Sequence, residues 1–208
     1  MSEAHTSNST SESLRGLLFV LVGPSGVGKN ALIDRVLARL PELRRLPTAT
    51  TRPPRPNEQE GRDHFFISQE RFQQLIAEGA FIEYQEVHSG KLYGMLRHIF
   101  CEALREGAYL IADIDIRGAT AIRAAFPNNF ISIFVLPPSL QALRERLMQR
   151  GNMAADELEE RLRRAEEEEM PRAAECDYRV INDQLETCVD EIVGIIGTEI
   201  AARAQVRS

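Results

Sequence analysis

The sequence predicts an α/β fold: a doubly wound parallel sheet with helices on both faces, an inserted mixed α/β subdomain and a helical lid. Three observations carry that expectation. Leu17–Val22 is a short continuous apolar run with the texture of a strand buried on both faces, Tyr109–Ile114 and Phe130–Leu136 are further buried-strand candidates, and each is followed by a helix-like segment. Strands that alternate with helices favour a parallel sheet. Between about residues 46 and 94, and again between about 150 and 171, the composition leaves that alternation.

Taken in order, Met1–Ser13 is rich in Ser and Thr and contains no arginine, so residues 1–14 are expected to form a flexible tail before a domain spanning 15–205. Leu17–Val22 opens the core (15–45 and 95–205) and runs into Gly23-Pro24. Leu32, Ile33, Val36, Leu37 and Leu40 then fall at helical spacing, and Pro41 follows the helix end. The insertion over 46–94 begins with prolines at 47, 53, 54 and 56, followed by Phe65–Ile67, a helix near Gln69–Glu78 and a strand at Phe81–Val87. The second insertion, Gly151–Pro171, is charged and helical, with Asp156 expected as its cap and Glu166–Glu169 as a solvated face. Val180–Ile181 reads as a last short strand before a helix over Leu185–Ala202.

The chain has 208 residues with 25 basic and 31 acidic side chains, a formal net charge of −6. That balance argues against sequence-independent nucleic-acid binding, which needs a basic face. It leaves room for a small anionic ligand held by a local cluster of cations. Of the 25 basic residues only Lys29 and Lys91 are lysines. The three cysteines, Cys101, Cys176 and Cys188, are far apart and form no C-x-x-C, so neither a disulfide framework nor a zinc site is expected. Apolar runs are too short to span a bilayer and the first residues do not resemble a leader peptide, so the expectation is a cytoplasmic protein without membrane contact, monomeric or homodimeric.

Gly23-Pro24-Ser25-Gly26-Val27-Gly28-Lys29-Asn30 fits G-x-x-x-x-G-K between a strand and a helix, the context that makes it a phosphate-binding loop. Its glycines let backbone N–H groups turn in around phosphate oxygens, and the helix N-terminus adds positive potential. Lys29 adds a compact point charge for the outer phosphates. Where Ser or Thr would place a hydroxyl on Mg²⁺, this chain has Asn30, whose amide oxygen reaches the metal directly or through water.

The stretch Thr50-Thr-Arg-Pro-Pro-Arg-Pro-Asn-Glu-Gln-Glu-Gly-Arg-Asp-His-Phe-Phe66 resembles the second signature of the guanylate kinase family, matching at Thr50, Thr51, Arg52, Arg55, Glu58, Gly61 and Phe66. The resemblance continues through Phe81-Ile-Glu-Tyr84, Leu92-Tyr-Gly94, Asp113-Ile-Asp115 with Gly118, Pro137-Pro-Ser139, Arg150-Gly151 and Ile181-Asn-Asp183, covering roughly residues 17–200 in order. It implies a P-loop kinase whose insertion binds a nucleoside monophosphate, with ATP as donor, GMP (and dGMP) as acceptor and Mg²⁺ as cofactor. By the same resemblance Arg52, Arg55 and Tyr93 would hold the GMP phosphate, with Glu58 and His64 beside them. Glu83 would read guanine, since a carboxylate accepts from both N1–H and the 2-amino group and adenine offers no such donor pair. Thr48 and Asp113 would lie near the base, Asp115 and Asn30 near the metal, and Asn182 and Asp183 near adenine. Arg150 and Arg161 would be lid arginines that, with Lys29 and Arg55, neutralise the phosphoryl group in flight.

Three positions depart from the family pattern: Asn30 for the loop hydroxyl, His64 for a phosphate-contacting tyrosine, and Met95 for a base-contacting Ser or Thr. One extra residue also separates Glu83 from Tyr93. Those departures keep two other readings open: a related kinase of another phosphorylated acceptor such as a ribosyl phosphate, and a catalytically silent GMP-binding module.

Overall fold

The computed structural model describes residues 14–205 apart from 57, 88, 89 and 150–153; the predicted tail up to residue 13 and the lid residue Arg150 lie outside the described residues. Nine strands and seven α-helices follow one another among them: β1 Leu17–Val22, α1 Lys29–Arg39, β2 Leu43–Arg45, β3 Thr48–Thr50, β4 His64–Phe66, α2 Gln69–Ala77, β5 Phe81–Val87, β6 Lys91–Leu96, α3 Arg97–Arg105, β7 Tyr109–Asp113, α4 Ile116–Ala125, β8 Phe130–Leu136, α5 Leu140–Gln149, α6 Ala155–Arg164, β9 Tyr178–Ile181 and α7 Leu185–Gln205. A central sheet has the order β2-β7-β1-β8-β9, and its paired strands are parallel. A second sheet, in the order β4-β3-β6-β5, is mixed: β3 runs parallel to β4 and antiparallel to β6.

The apolar run of β1 follows from its place at the middle of the central sheet. Alternate side chains point to opposite faces, and both faces are covered. Leu17, Phe19 and Leu21 join Leu32, Ile33 and Val36 of α1 and Val189, Ile192 and Ile196 of α7. Leu18, Val20 and Val22 meet Phe100 and Leu104 of α3 and Ile122 of α4 on the other face. The strand therefore has no polar side to show. Loops leaving the C-terminal ends of β1 and β7 open onto one crevice, where ligands of such sheets bind.

The second sheet has a small core of its own, in which Phe72 of α2 stacks on Phe81 of β5 with ring centroids 4.5 Å apart and Ala49, Leu92 and Leu96 close around them. A third cluster of Leu143, Leu147, Leu162 and Ala165 fastens α6 to α5, supported by a two-pronged ion pair from Arg144 to Glu159. Two expectations fail in detail. Asp156 does not cap α6: Ala154 stands at the cap without a side-chain bond, and Asp156 lies inside the first turn, where a carboxylate favours the helix dipole without capping. Nor is Glu166–Glu169 a uniformly solvated face, because α6 widens there into a π-turn that rotates Glu169 inward against Arg164, at 3.2 Å.

Candidate active site

The loop after β1 has the geometry its glycines predict. Gly28 caps α1 at φ 105°, and a Cβ there would stand 2.6 Å from the side-chain nitrogen of Asn182, so no other residue fits without strain. That nitrogen donates to Val27 O at 2.8 Å, and the buried Asn182 thereby braces the loop from behind. Arg146 adds bonds to Val27 O and Asp183 O. Lys29 lies across the mouth: Nζ donates to Gly23 O at 2.6 Å and stands 3.5 Å from Asp113 Oδ1.

Across the cleft, Arg52 is clamped. Its two terminal nitrogens donate to the two Glu58 oxygens at 2.5 and 2.7 Å, and Nε donates to the Tyr93 hydroxyl at 2.8 Å. This hydrogen-bonded pairing holds Glu58 far below the usual carboxylate range, at about 2, and raises Arg52 in turn. Glu58 also accepts from the Arg55 backbone at 2.8 Å. The Arg55 guanidinium is exposed and has no hydrogen-bond or ion-pair partner among the described residues. Of the two arginines it is Arg55 that is open to an incoming anion, while Arg52 shapes the loop. His64 Nδ1 lies 2.9 Å from the Thr48 hydroxyl, and burial, then the Arg52 charge, lowers its pKa. A neutral imidazole at pH 7 can still donate one N–H. Arg52, Glu58, His64 and Asn30 line a cavity of about 1270 Å³ that continues back along α1 and α3.

A second cavity of about 650 Å³ is lined by Glu83 and Gln85 of β5 and by Asp115 and Gly118 at the start of α4. Burial, with the Asp115 charge second, pushes the Glu83 carboxyl up to about 7. Asp115 caps α4 through Gly118 N at 2.7 Å and receives the side-chain amide of Gln85. A Cβ on Gly118 would stand 2.8 Å from Glu83 Oε2, so the glycine leaves the space that the carboxyl occupies. Met95, directly opposite Glu83 in the strand pair, is fully buried among Leu18, Val20 and Phe100. It seals the floor and offers no polar group. Asp113 stands against Lys29, and Asp115 beside Glu83; β7 ends at Asp113 and α4 begins three residues later, at Ile116.

From the lid, Arg161 on α6 reaches Ser25 Oγ at 3.2 Å and is steadied by Glu157 at 2.6 Å, while its Nε is buried without a partner among the described residues. Arg164, one turn on, lines the Glu83 cavity. The sequence reading missed Gln85, Gly118, Arg164 and Arg146 as parts of the site. The Gly118 match was visible, but only three-dimensional packing shows that its missing side chain makes room for Glu83.

The oxygen donors near the phosphate loop, the Asn30 amide and the Asp113 carboxylate, with the Asp115 carboxylate two residues on, suit a hard cation such as Mg²⁺. Among the described residues no three metal-binding side chains converge, a pattern that fits a Mg²⁺ held largely by nucleotide phosphates and water.

The guanylate kinase family model matches residues 15–199. The chain belongs to the guanylate kinase family. A guanylate kinase from Thermotoga maritima is 40% identical over 188 residues, 90% of this chain and 89% of the relative. One from a Nostoc species is 41% identical over 179 residues, 86% and 88% of the two chains. The crystal structure of guanylate kinase from Anaplasma phagocytophilum superposes with a TM-score of 0.69 at 30% identity, covering 89% of this chain and 87% of that one.

Proposed function

We propose that this protein transfers the terminal phosphoryl group of ATP to GMP, and to dGMP, giving ADP and the nucleoside diphosphate. The observation that carries the proposal is a buried Glu83 carboxyl lining one cavity, in a chain that also presents Lys29 on a phosphate-loop helix and Arg52 and Arg55 on one clamped loop. A phosphorylated sugar offers hydroxyls but lacks guanine's fixed pair of N–H donors, which such a carboxylate matches best. The lid arginine already resting on Ser25 argues against a silent module.

An oxygen of the GMP phosphate attacks the γ-phosphorus of ATP, a new P–O bond forms, and the bond to the β-phosphate oxygen breaks to release ADP. No general base is required, because the acceptor phosphate is anionic at neutral pH; positioning and charge stabilisation carry the rate. Backbone N–H groups of 23–29 and Lys29 hold the ATP phosphates, with Asn182 and Asp183 bracing that end. Arg55 takes the GMP phosphate, with Arg52, Tyr93 and His64 fixing its surroundings. Arg161, joined by Arg150, meets the charge that develops on the phosphoryl group. Glu83 accepts from guanine N1–H and the 2-amino group, with Thr48 beside the base. Mg²⁺, held near Asn30 and Asp115 through water, supplies further charge neutralisation. No helix among the described residues is long and apolar enough to cross a membrane.

A coupled assay of ADP release against GMP, dGMP, AMP and ribose phosphates tests the proposal. Turnover of GMP over AMP by 10³-fold or more is expected, about what rejection by an unpaired buried carboxylate delivers. Absence of GMP turnover at saturating Mg²⁺–ATP would end it.

A further inference from the structure

Arg45 takes no part in the grip described above, yet it bridges the two sheets at the point where the chain crosses between them. It is the last residue of β2, paired with Ile111 in the central sheet. Leu46 still bonds to Ile111 O, at 2.9 Å, and after Pro47 the chain is already in β3 of the other sheet. The crossing is therefore two residues long. From there the Arg45 guanidinium faces both sides: Nη2 donates to Asp34 Oδ1 on α1 at 2.6 Å, and Nε stands 3.9 Å from Asp63 Oδ1. Arg45 and Asp63 are each only 18% exposed. The second Asp63 oxygen accepts from Gln59 N and from Arg62 Nε, both at 2.9 Å. Gln59 follows Glu58, whose carboxylate clamps Arg52. A continuous chain of polar contacts thus runs from the helix that begins at Lys29, through Asp34, Arg45, Asp63 and Gln59, to the loop that carries Arg52 and Arg55.

We infer that Arg45 is a positioning residue for the acceptor nucleotide, setting the Glu58–Arg52–Arg55 loop at a fixed place relative to the phosphate-loop helix. The inference rests on the function proposed above. A guanidinium suits the task because its fork offers separate N–H groups to two carboxylates at once, which a lysine ammonium on a flexible stem does less well. The effect should fall on the acceptor side alone. The ATP phosphates are held by α1 and the loop before it, both upstream of Arg45 and packed in the central core.

Steady-state kinetics of Arg45→Met, Asp63→Asn and the double variant test this, with Arg45→Lys as the conservative variant and Arg44→Met, an exposed neighbour paired to Glu106, as control. Each single change should raise KM for GMP about fivefold, the range of a partly buried ion pair, and the double variant should rise no further than either single, since coupled residues are not additive. KM for ATP should stay within about twofold, and Arg45→Lys should recover part of the loss. Additive effects, an equal rise in KM for ATP, or an unmoved KM for GMP would each overturn the role. Should Arg45→Met fail to fold, judged by its thermal unfolding midpoint, Asp63→Asn and Arg45→Lys make the same comparison. A wild-type protein that does not phosphorylate GMP refutes the functional reading itself, whereas normal wild-type turnover with unmoved variants refutes Arg45 alone.

Discussion

The role proposed for Glu83 ties guanine recognition to pH. Its carboxyl titrates at about 7 because burial disfavours the charge and Asp115 repels it. Only the carboxylate accepts from both guanine donors, so binding of GMP should strengthen as pH rises through that value. With a pKa of about 7, roughly one-tenth of Glu83 is ionised at pH 6 and roughly nine-tenths at pH 8, which predicts a fall in KM for GMP of about tenfold across that window. GMP carries its own titration, since a phosphomonoester loses its second proton near pH 6. Glu83→Gln separates the two: it keeps the phosphate's pH dependence and loses that of the carboxyl. Stability should respond with the opposite sign. The folded protein holds a proton that the unfolded chain releases near 4.5, so Glu83 costs nothing below that pH and disfavours folding increasingly up to about 7. The full penalty is about 3 kcal/mol by pH 8, and Glu83→Gln should unfold at a higher temperature than wild type there but not at pH 4.5. Coupled-assay profiles between pH 6 and 8 that run parallel in wild type and Glu83→Gln would refute the reasoning.

Three further outcomes are expected. Gly118→Ala, at a helical position where alanine is otherwise favoured, puts a Cβ 2.8 Å from Glu83 Oε2 and should raise KM for GMP while leaving KM for ATP unchanged in the same assay. Arg161→Met should lower kcat about 10²- to 10³-fold with little change in either KM, measured by single-turnover kinetics, because its guanidinium acts on charge that appears in the transition state. Asn30→Thr restores a hydroxyl at the second residue of α1, on the wall of the cleft, and should raise kcat more than it alters KM for GMP; an unchanged or lower kcat would mean that the cleft has adapted to asparagine.

What could be read beforehand follows from the range over which each cause acts. Strands β1, β7 and β8 of the central sheet were legible because they are covered on both faces and so are apolar but for Asp113 and Ser132. β2 and β3 were not, since each has three residues and a periodicity needs more. The phosphate loop was legible because its requirements are local: glycines at fixed offsets and one lysine. The division of labour between Arg52 and Arg55 was not. It depends on Glu58, three residues beyond Arg55, folding back to occupy Arg52 from both sides. Met95 could be seen to lack a hydroxyl, but not that it would turn into the hydrophobic core.

The cleft also explains how a chain with a net charge of −6 receives two anionic nucleotides. Lys29 stands by Asp113, Arg52 by Glu58, Arg161 by Glu157 and Arg164 by Glu169. Each carboxylate weakens the local positive potential, which is a disadvantage for raw attraction. Each also fixes a long side chain in one rotamer, and ordering such a side chain on binding would otherwise cost about 0.5–1.5 kcal/mol. For phosphoryl transfer the second effect matters more, because a transition state is favoured by charges already in place rather than by charges that must be gathered. Arg55 is the exception, exposed and unpaired among the described residues, and an unpaired guanidinium is what first capture of a mobile anion requires. Under the proposed mechanism the cations therefore divide into one that attracts and several that are held ready, and the acidic residues paired with them serve that readiness rather than oppose it.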